Sequence, residues 1–414
     1  MKMKEFEGYT YREGGVCAAK GFRANGLNCG LVEDKAKNDL ALLVSDVICN
    51  TAAVYTQNKV KGAPIIVTKR HLEATGQKAR AVIANCKNAN TCNADGEQKA
   101  ERMAELAADE LGIRPEEIIV ASTGVIGQIL PIEPIESHIK ELKEGLSYEG
   151  NGEAAGAIMT TDTVKKEVAV SFTLDGETCT LGGMAKGSGM IHPNMATTLN
   201  FITTDANISV PMLQKALSEV TKITYNCLSI DGDTSTNDMV CVMANGFAKN
   251  TEITGENEDY EVFKQALYIV MMNMTKMLAK DGEGATKLIE CTVSGAKDWD
   301  TAIAVAKSVI CSSLFKCMIF GEDANWGRVA CAIGYADAEF DIGKMDVDIA
   351  SAKGIIPFCK NGAGVEFSEE LAKTVLSEDE IIVNVSLNEG GASATAWGCD
   401  LTYDYVKING DYRS

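Results

Sequence analysis

Residues Lys186 to Ala206 read KGSGMIHPNMATTLNFITTDA. A glycine-rich, basic approach leads to Ala196, then to Thr197 and Thr198, then to an apolar run of strand type. A threonine hydroxyl is a poor nucleophile unless a base lies beside it. Breaking the peptide bond before a threonine supplies that base, because the freed α-amine takes the hydroxyl proton. The amine has a reference pKa of ~7.7–8.0, so a useful neutral fraction exists near neutral pH. The segment therefore predicts a self-processed enzyme, cut between Ala196 and Thr197. Gly182, Gly183, Gly187 and Gly189 permit close backbone approach, and Lys186 brings a cation to the nucleophile. Taken alone, Ala-Thr-Thr-Leu is no more than a loop feeding a buried strand.

Other stretches carry weaker chemistry. IIVASTGVIG at 118–127 ends a strand-like run at Thr123 and Gly124, where a hydroxyl and a backbone N–H suit an oxyanion. By itself this is an ordinary turn. MTTDT at 159–163, with Thr160, offers hydroxyls and one carboxylate, as a turn or helix cap also does. DGDTSTND at 231–238 lacks the glycine of a calcium loop at Thr236 and its closing glutamate at Val242. DGEGATK at 281–287 sets Glu283 between two glycines, the pattern of a helix C-terminal turn. Asn409 and Ser414 belong to a polar end that reads as a frayed tail. Three histidines and scattered cysteines make a zinc site improbable, and Cys86 and Cys92 read as packed thiols. No phosphate loop or dinucleotide fingerprint is complete.

The elements that must position these groups follow from composition and periodicity. A chain of 414 residues, 46% hydrophobic, supports two domains or a large two-part α/β unit. A net charge of -19 argues against nucleic acid and anionic membranes as partners. The 14 cysteines lie mostly in apolar runs, as expected of reduced thiols in the cytoplasm. No run of 18 apolar residues and no signal-peptide core occurs. ALLVSDVICN, TAAVYTQN and APIIVTK within 41–69 read as strands. Helices are expected at 97–112, from Pro134, at 210–228, at 258–280 and at 300–318. Strands are expected at 164–174, 287–296 and 381–387, giving an α/β or α+β class. Soft boundaries fall near 196–210 and near 295.

Together VASTGVIG, AIMTTDT, MAKGSGMIHPNMAT, STND, DGEGATK, GEDANWGRV and AWGCDLTYDYVKIN, in that order, span nearly the whole chain. The set resembles the ornithine acetyltransferase / N-acetylglutamate synthase family of arginine biosynthesis. The resemblance implies a four-layer αββα sandwich, similar to the N-terminal-nucleophile hydrolases, with a smaller C-terminal α/β part. It implies an α chain of 1–196 and a β chain of 197–414, paired as an α2β2 heterotetramer. It assigns Thr197 as nucleophile and Thr123 with Gly124 as oxyanion hole. It assigns Thr160, Lys186, Thr197, Glu283, Asn409 and Ser414 as substrate contacts. The implied reaction moves acetyl from N2-acetyl-L-ornithine to L-glutamate by a ping-pong route, with no metal or cofactor and with acetyl-CoA as a further co-substrate. A self-processing aminopeptidase or amidase using the same threonine is the alternative. Two positions depart from the family pattern: Thr198 replaces an apolar residue, and Cys86-Lys87 replaces serine-glycine before NAN.

Overall fold

The computed structural model describes residues 3–192 and 198–411. Among them, nine strands form one sheet: β1 (Thr10–Arg12), β2 (Phe22–Leu27), β3 (Leu40–Tyr55), β4 (Lys78–Asn85), β5 (Ile118–Ser122), β6 (Lys166–Leu174), β7 (Glu177–Lys186), β8 (Leu199–Thr204) and β9 (Met239–Ala244). Their order is β1-β6-β7-β8-β9-β3-β4-β5, with β2 paired to β3. A second sheet holds β10 (Leu288–Ala296), β11 (Asp346–Ser351), β12 (Gly354–Lys360), β13 (Ala363–Gly364), β14 (Glu380–Ser386) and β15 (Ala392–Cys399), in the order β13-β12-β11-β14-β10-β15.

The helices are α1 (Ala63–Thr75), α2 (Gly96–Leu111), α3 (Glu133–Glu144), α4 (Asn151–Ala157), α5 (Val210–Ile223), α6 (Glu258–Lys280), α7 (Trp299–Cys311), α8 (Ser313–Phe320), α9 (Gly327–Gly334), α10 (Glu369–Leu376) and α11 (Tyr403–Gly410). The mixed α/β class expected from the sequence stands.

Strands β8 and β9 are buried at every position, because both faces of the first sheet are covered. Neighbouring residues point opposite ways along a strand. Ile202 and Val242 join a core that runs through Leu267 and Val270 of α6 to Ile289 and Val293 of β10. Phe201 and Cys241 face the other way, toward Ala154 and Ala155 of α4. Further along the same sheet, Leu42 and Ile83 pack with Met103 and Ala107 of α2.

Three expectations are corrected. APIIVTK is the start of α1, not a strand: Pro64 occupies its first turn and Gly76, at φ 66, closes it. The run at 300–318 is two helices bent by 58° at Ser312, whose hydroxyl caps the second by accepting from the Phe315 N–H at 3.3 Å. Cys92 is exposed, in the loop before α2, while Cys86 is buried and its thiol is pushed up to about 12 by burial. No single helix among the described residues is long and apolar enough to cross a membrane.

Candidate active site

Strand register gathers the site at one end of the first sheet. Lys186, the last residue of β7, pairs with Leu199, the first of β8. Leu199 in turn pairs in parallel with Met239, the first of β9. Lys186, Thr198 and Asp238 therefore meet where three strands begin or end. The opposite wall comes from β5, which stops at Ser122. The next residues fold against the loop after β4: Thr123 N–H donates to the Asn85 carbonyl at 3.0 Å and Val125 N–H to the Lys87 carbonyl at 2.9 Å. Asn237 joins the two walls. Its amide donates to the carbonyls of Ala89 and Ser122 at 2.6 and 2.9 Å, and its Oδ1 accepts from the Thr91 hydroxyl at 2.7 Å.

Between these walls lies a cavity of about 290 Å³. Thr123, Gly124, Thr160, Lys186, Glu283 and Asn409 all line it, although they are spread over nearly 290 positions of sequence. The buried Lys186 ammonium donates to the hydroxyls of Thr160 at 2.8 Å and Thr123 at 3.3 Å. A hydroxyl that accepts from a cation keeps its own hydrogen free to donate into the cavity. Gly124 stands at φ 130, and a Cβ there would overlap the Lys87 carbonyl, so no side chain fits. Asn409, on α11, donates to Glu283 Oε2 at 2.7 Å. Ala196, Thr197 and Ser414 lie outside the described residues. His192 is hydrogen-bonded to the Ser229 hydroxyl at 3.0 Å and is not part of the cavity wall. Among the described residues no group of three or more His, Cys, Asp or Glu side chains is placed to hold a metal ion.

Behind the wall sits a charged cluster that the sequence did not reveal. Lys166 is fully buried and its Nζ lies 2.6 Å from both Asp162 Oδ1 and Asp281 Oδ2. Asp162 also accepts from the Gly187 N–H at 2.6 Å and the Thr160 N–H at 3.1 Å, fixing the backbone next to Lys186 and at the threonine its ammonium meets. Burial alone would raise the Asp162 carboxyl, but Lys186 and Lys166 outweigh it and hold it near about 2. Asp162 belongs to MTTDT, where it reads only as a cap; Lys166 stands four positions on, but Gly187 and Asp281, which complete the cluster, lie too far along the chain for any local pattern.

Both departures from the family pattern adopt left-handed backbone. Lys87 takes φ 75, a conformation natural to glycine, so the loop keeps a glycine-like path with a lysine on it. Thr198 takes φ 71, rare for a β-branched residue. Its N–H is held by Asp238 Oδ1 at 2.8 Å.

Comparison with known proteins gives the family. The ArgJ family model matches residues 23–414. This chain belongs to the ArgJ family. Family members include the Arginine biosynthesis bifunctional protein ArgJ 1 of Clostridium acetobutylicum, 51% identical over 394 residues that cover 95% of this chain and 96% of that protein. The ArgJ protein of Geobacillus stearothermophilus is 48% identical and covers 97% of each. Among solved structures, that of an ArgJ protein from Bacillus halodurans is 46% identical, with a TM-score of 0.48, covering 50% of this chain and 96% of its own.

Proposed function

We propose that this ArgJ-family chain is the glutamate N-acetyltransferase of arginine biosynthesis and moves acetyl from N2-acetyl-L-ornithine to L-glutamate through an acetyl-threonine on Thr197. The chain is an enzyme of this family, related over almost its whole length to proteins named for arginine biosynthesis. The observation that carries the finer reading is the convergence of Thr123, Gly124, Thr160, Lys186, Glu283 and Asn409 on one cavity beside Thr198.

In this reading the chain first cuts itself between Ala196 and Thr197. The Thr197 hydroxyl attacks the Ala196 carbonyl, the C–N bond breaks with a proton passing to the nitrogen, and water hydrolyses the ester. In turnover the same hydroxyl attacks the acetyl carbonyl of the donor, and its proton passes to the new α-amine. The Thr123 hydroxyl and Gly124 N–H stabilise the oxyanion, at ~2.7–4 kcal/mol per donor. The proton then leaves with the departing ornithine nitrogen. Glutamate takes the acetyl group in the reverse sequence. Lys186 meets the substrate α-carboxylate and Glu283 the ornithine side-chain amine, with Thr160, Asn409 and Ser414 completing the pocket. The acyl group rides on the protein, so the scheme uses no metal or organic cofactor. Acetyl-CoA enters as a second donor to the same threonine, and two cut chains pair as α2β2.

Intact mass spectrometry with N2-acetyl-L-ornithine tests the scheme. Two fragments are expected, with 42 Da added to the one that begins at Thr197. Thr197→Ala should remain one uncut chain. A wild-type protein that stays whole while transferring acetyl at full rate overturns the proposal.

A further inference from the structure

Asp238 immediately precedes β9 and is anchored by main chain. Its carbonyl accepts from the Thr56 N–H at 3.0 Å, and its Oδ1 accepts from the Thr198 N–H at 2.8 Å. It lines the cavity and is nevertheless 2% exposed. Its second oxygen, Oδ2, is sealed from solvent and has no hydrogen-bond partner among the described residues. A buried polar atom left without a partner is costly and rare, and where one persists a chemical role is the first explanation to test.

Covalent geometry says what that role is. The Thr198 N–H belongs to the peptide that joins Thr197 to Thr198. Three bonds separate the nitrogens of those two residues, so bond lengths keep them within ~4 Å whatever the backbone angle. In the acyl-transfer scheme the Thr197 nitrogen is the base.

We propose that Asp238 is a positioning residue for acyl transfer, its carboxylate orienting the Thr197 amine through the Thr198 peptide and balancing the positive charge the amine acquires. The inference builds on the acyl-transfer reading above. The step balances as follows. The Thr197 O–H bond breaks, an N–H bond forms on its amine, and the oxygen bonds to the acetyl carbon. The ammonium proton then moves to the ornithine nitrogen as that C–N bond breaks, and Asp238 begins and ends ionised. A nucleophile, a base and a carboxylate that orients the base is a constellation known from other acyl-transfer sites. Burial pushes the Asp238 carboxyl up to about 7, while the hydrogen bond from the Thr198 N–H and the charge of Lys186 pull against it. Lys186 on β7 supplies the charge that acts on it. The carboxylate is therefore present above neutral pH.

The test is the pH profile of kcat and KM for Asp238→Asn beside wild type. The asparagine keeps an acceptor for the Thr198 N–H and removes the charge. kcat is expected to fall by ~10²–10⁴-fold, with KM changed less than ~3-fold. The amine's limb should move to lower pH, because a nearby negative charge no longer holds its proton. Wild-type kcat in Asp238→Asn, or a limb that does not move, overturns the inference. An Asp238→Asn chain that melts like wild type but stays uncut supports it, since cutting protonates the same nitrogen. A measurement on the wild type stands apart from any folding defect: the pH dependence of aldehyde labelling at the Thr197 amine, read by mass spectrometry. An apparent pKa above ~8.0 is expected, and one below ~7.7 overturns the inference. A wild-type enzyme that never carries acetyl defeats the reading and the inference together. One that acetylates normally while Asp238→Asn matches it defeats the inference alone.

Discussion

Lys166 shows how a single side chain far from the reacting atoms can govern them. Its ammonium is fully buried between Asp162 and Asp281, and Asp162 in turn grips the backbone at Thr160 and Gly187. Replacing one partner of a buried ion pair leaves an uncompensated charge, at a cost of ~3–5 kcal/mol. Lys166→Met should lose stability of that order at pH 7, measured by urea unfolding. The pH dependence has a definite sign. The Asp162 carboxyl falls from 3.8 to about 2 on folding, so its contribution is complete above ~4 and disappears as pH drops toward 2. The gap between wild type and Lys166→Met should therefore narrow at pH 3, and an equal gap at both pH values would contradict the assignment. None of this was legible in the sequence, because Asp162 and Asp281 stand 119 positions apart and look like a cap and a helix end. Thr123, Lys186 and Glu283 were legible only through the order of many short blocks. Read singly, each favoured a turn or a solvated loop. Asp238 closes one of those blocks, STND, but its partner is a main-chain N–H forty positions away, which no side-chain pattern encodes.

Elements were read best where periodicity was long. The helix expected at 97–112 is Gly96–Leu111, and the one at 258–280 is Glu258–Lys280. Short apolar runs misled, since a mostly buried run of this length looks alike in a helix and a strand. At 63–69 the deciding signals were Pro64 at the first turn and Gly76 at the end. The last helix, α11, has no buried residue, and Tyr403 is 84% exposed. It is held by Asn409 on Glu283, by the Thr402 hydroxyl on the Gly284 carbonyl at 2.7 Å, and by close approach to Gly284, where a Cβ would come 2.7 Å from the Tyr405 nitrogen. An element that buries so little contributes little to stability. Ending the chain after Thr402 should leave the melting temperature within ~2 °C and cost at least ~10²-fold in kcat/KM for N2-acetyl-L-ornithine. A truncated enzyme with full activity would reduce the C-terminal end to the frayed tail its composition suggests.

The molecule as a whole is stitched across the proposed cut. β1 to β7 precede residue 196, whereas β8 and β9 follow it and lie between β7 and β3 in the middle of the first sheet. β7 is hydrogen-bonded to β8 from Leu181 to Lys186, and β3 to β9 from Asn50 to Tyr55. One core then continues from this sheet through α6 to the second. Two chains made by a break at 196 should therefore elute together from a sizing column and separate only in denaturant. Expressed alone, residues 1–196 should be insoluble, because their sheet would lack its centre and expose both flanking edges. Recovery of a soluble, folded 1–196 fragment would show that the interleaving is not needed for either part.

The Asp238 grip on Thr198 exists only after β8 has settled beside β9. A scission that depends on that grip becomes a one-way stamp, applied once to each molecule that reaches its native shape and retained thereafter. The proportion of whole to halved polypeptide in a preparation would then count the molecules that never matured, with no assay of turnover required.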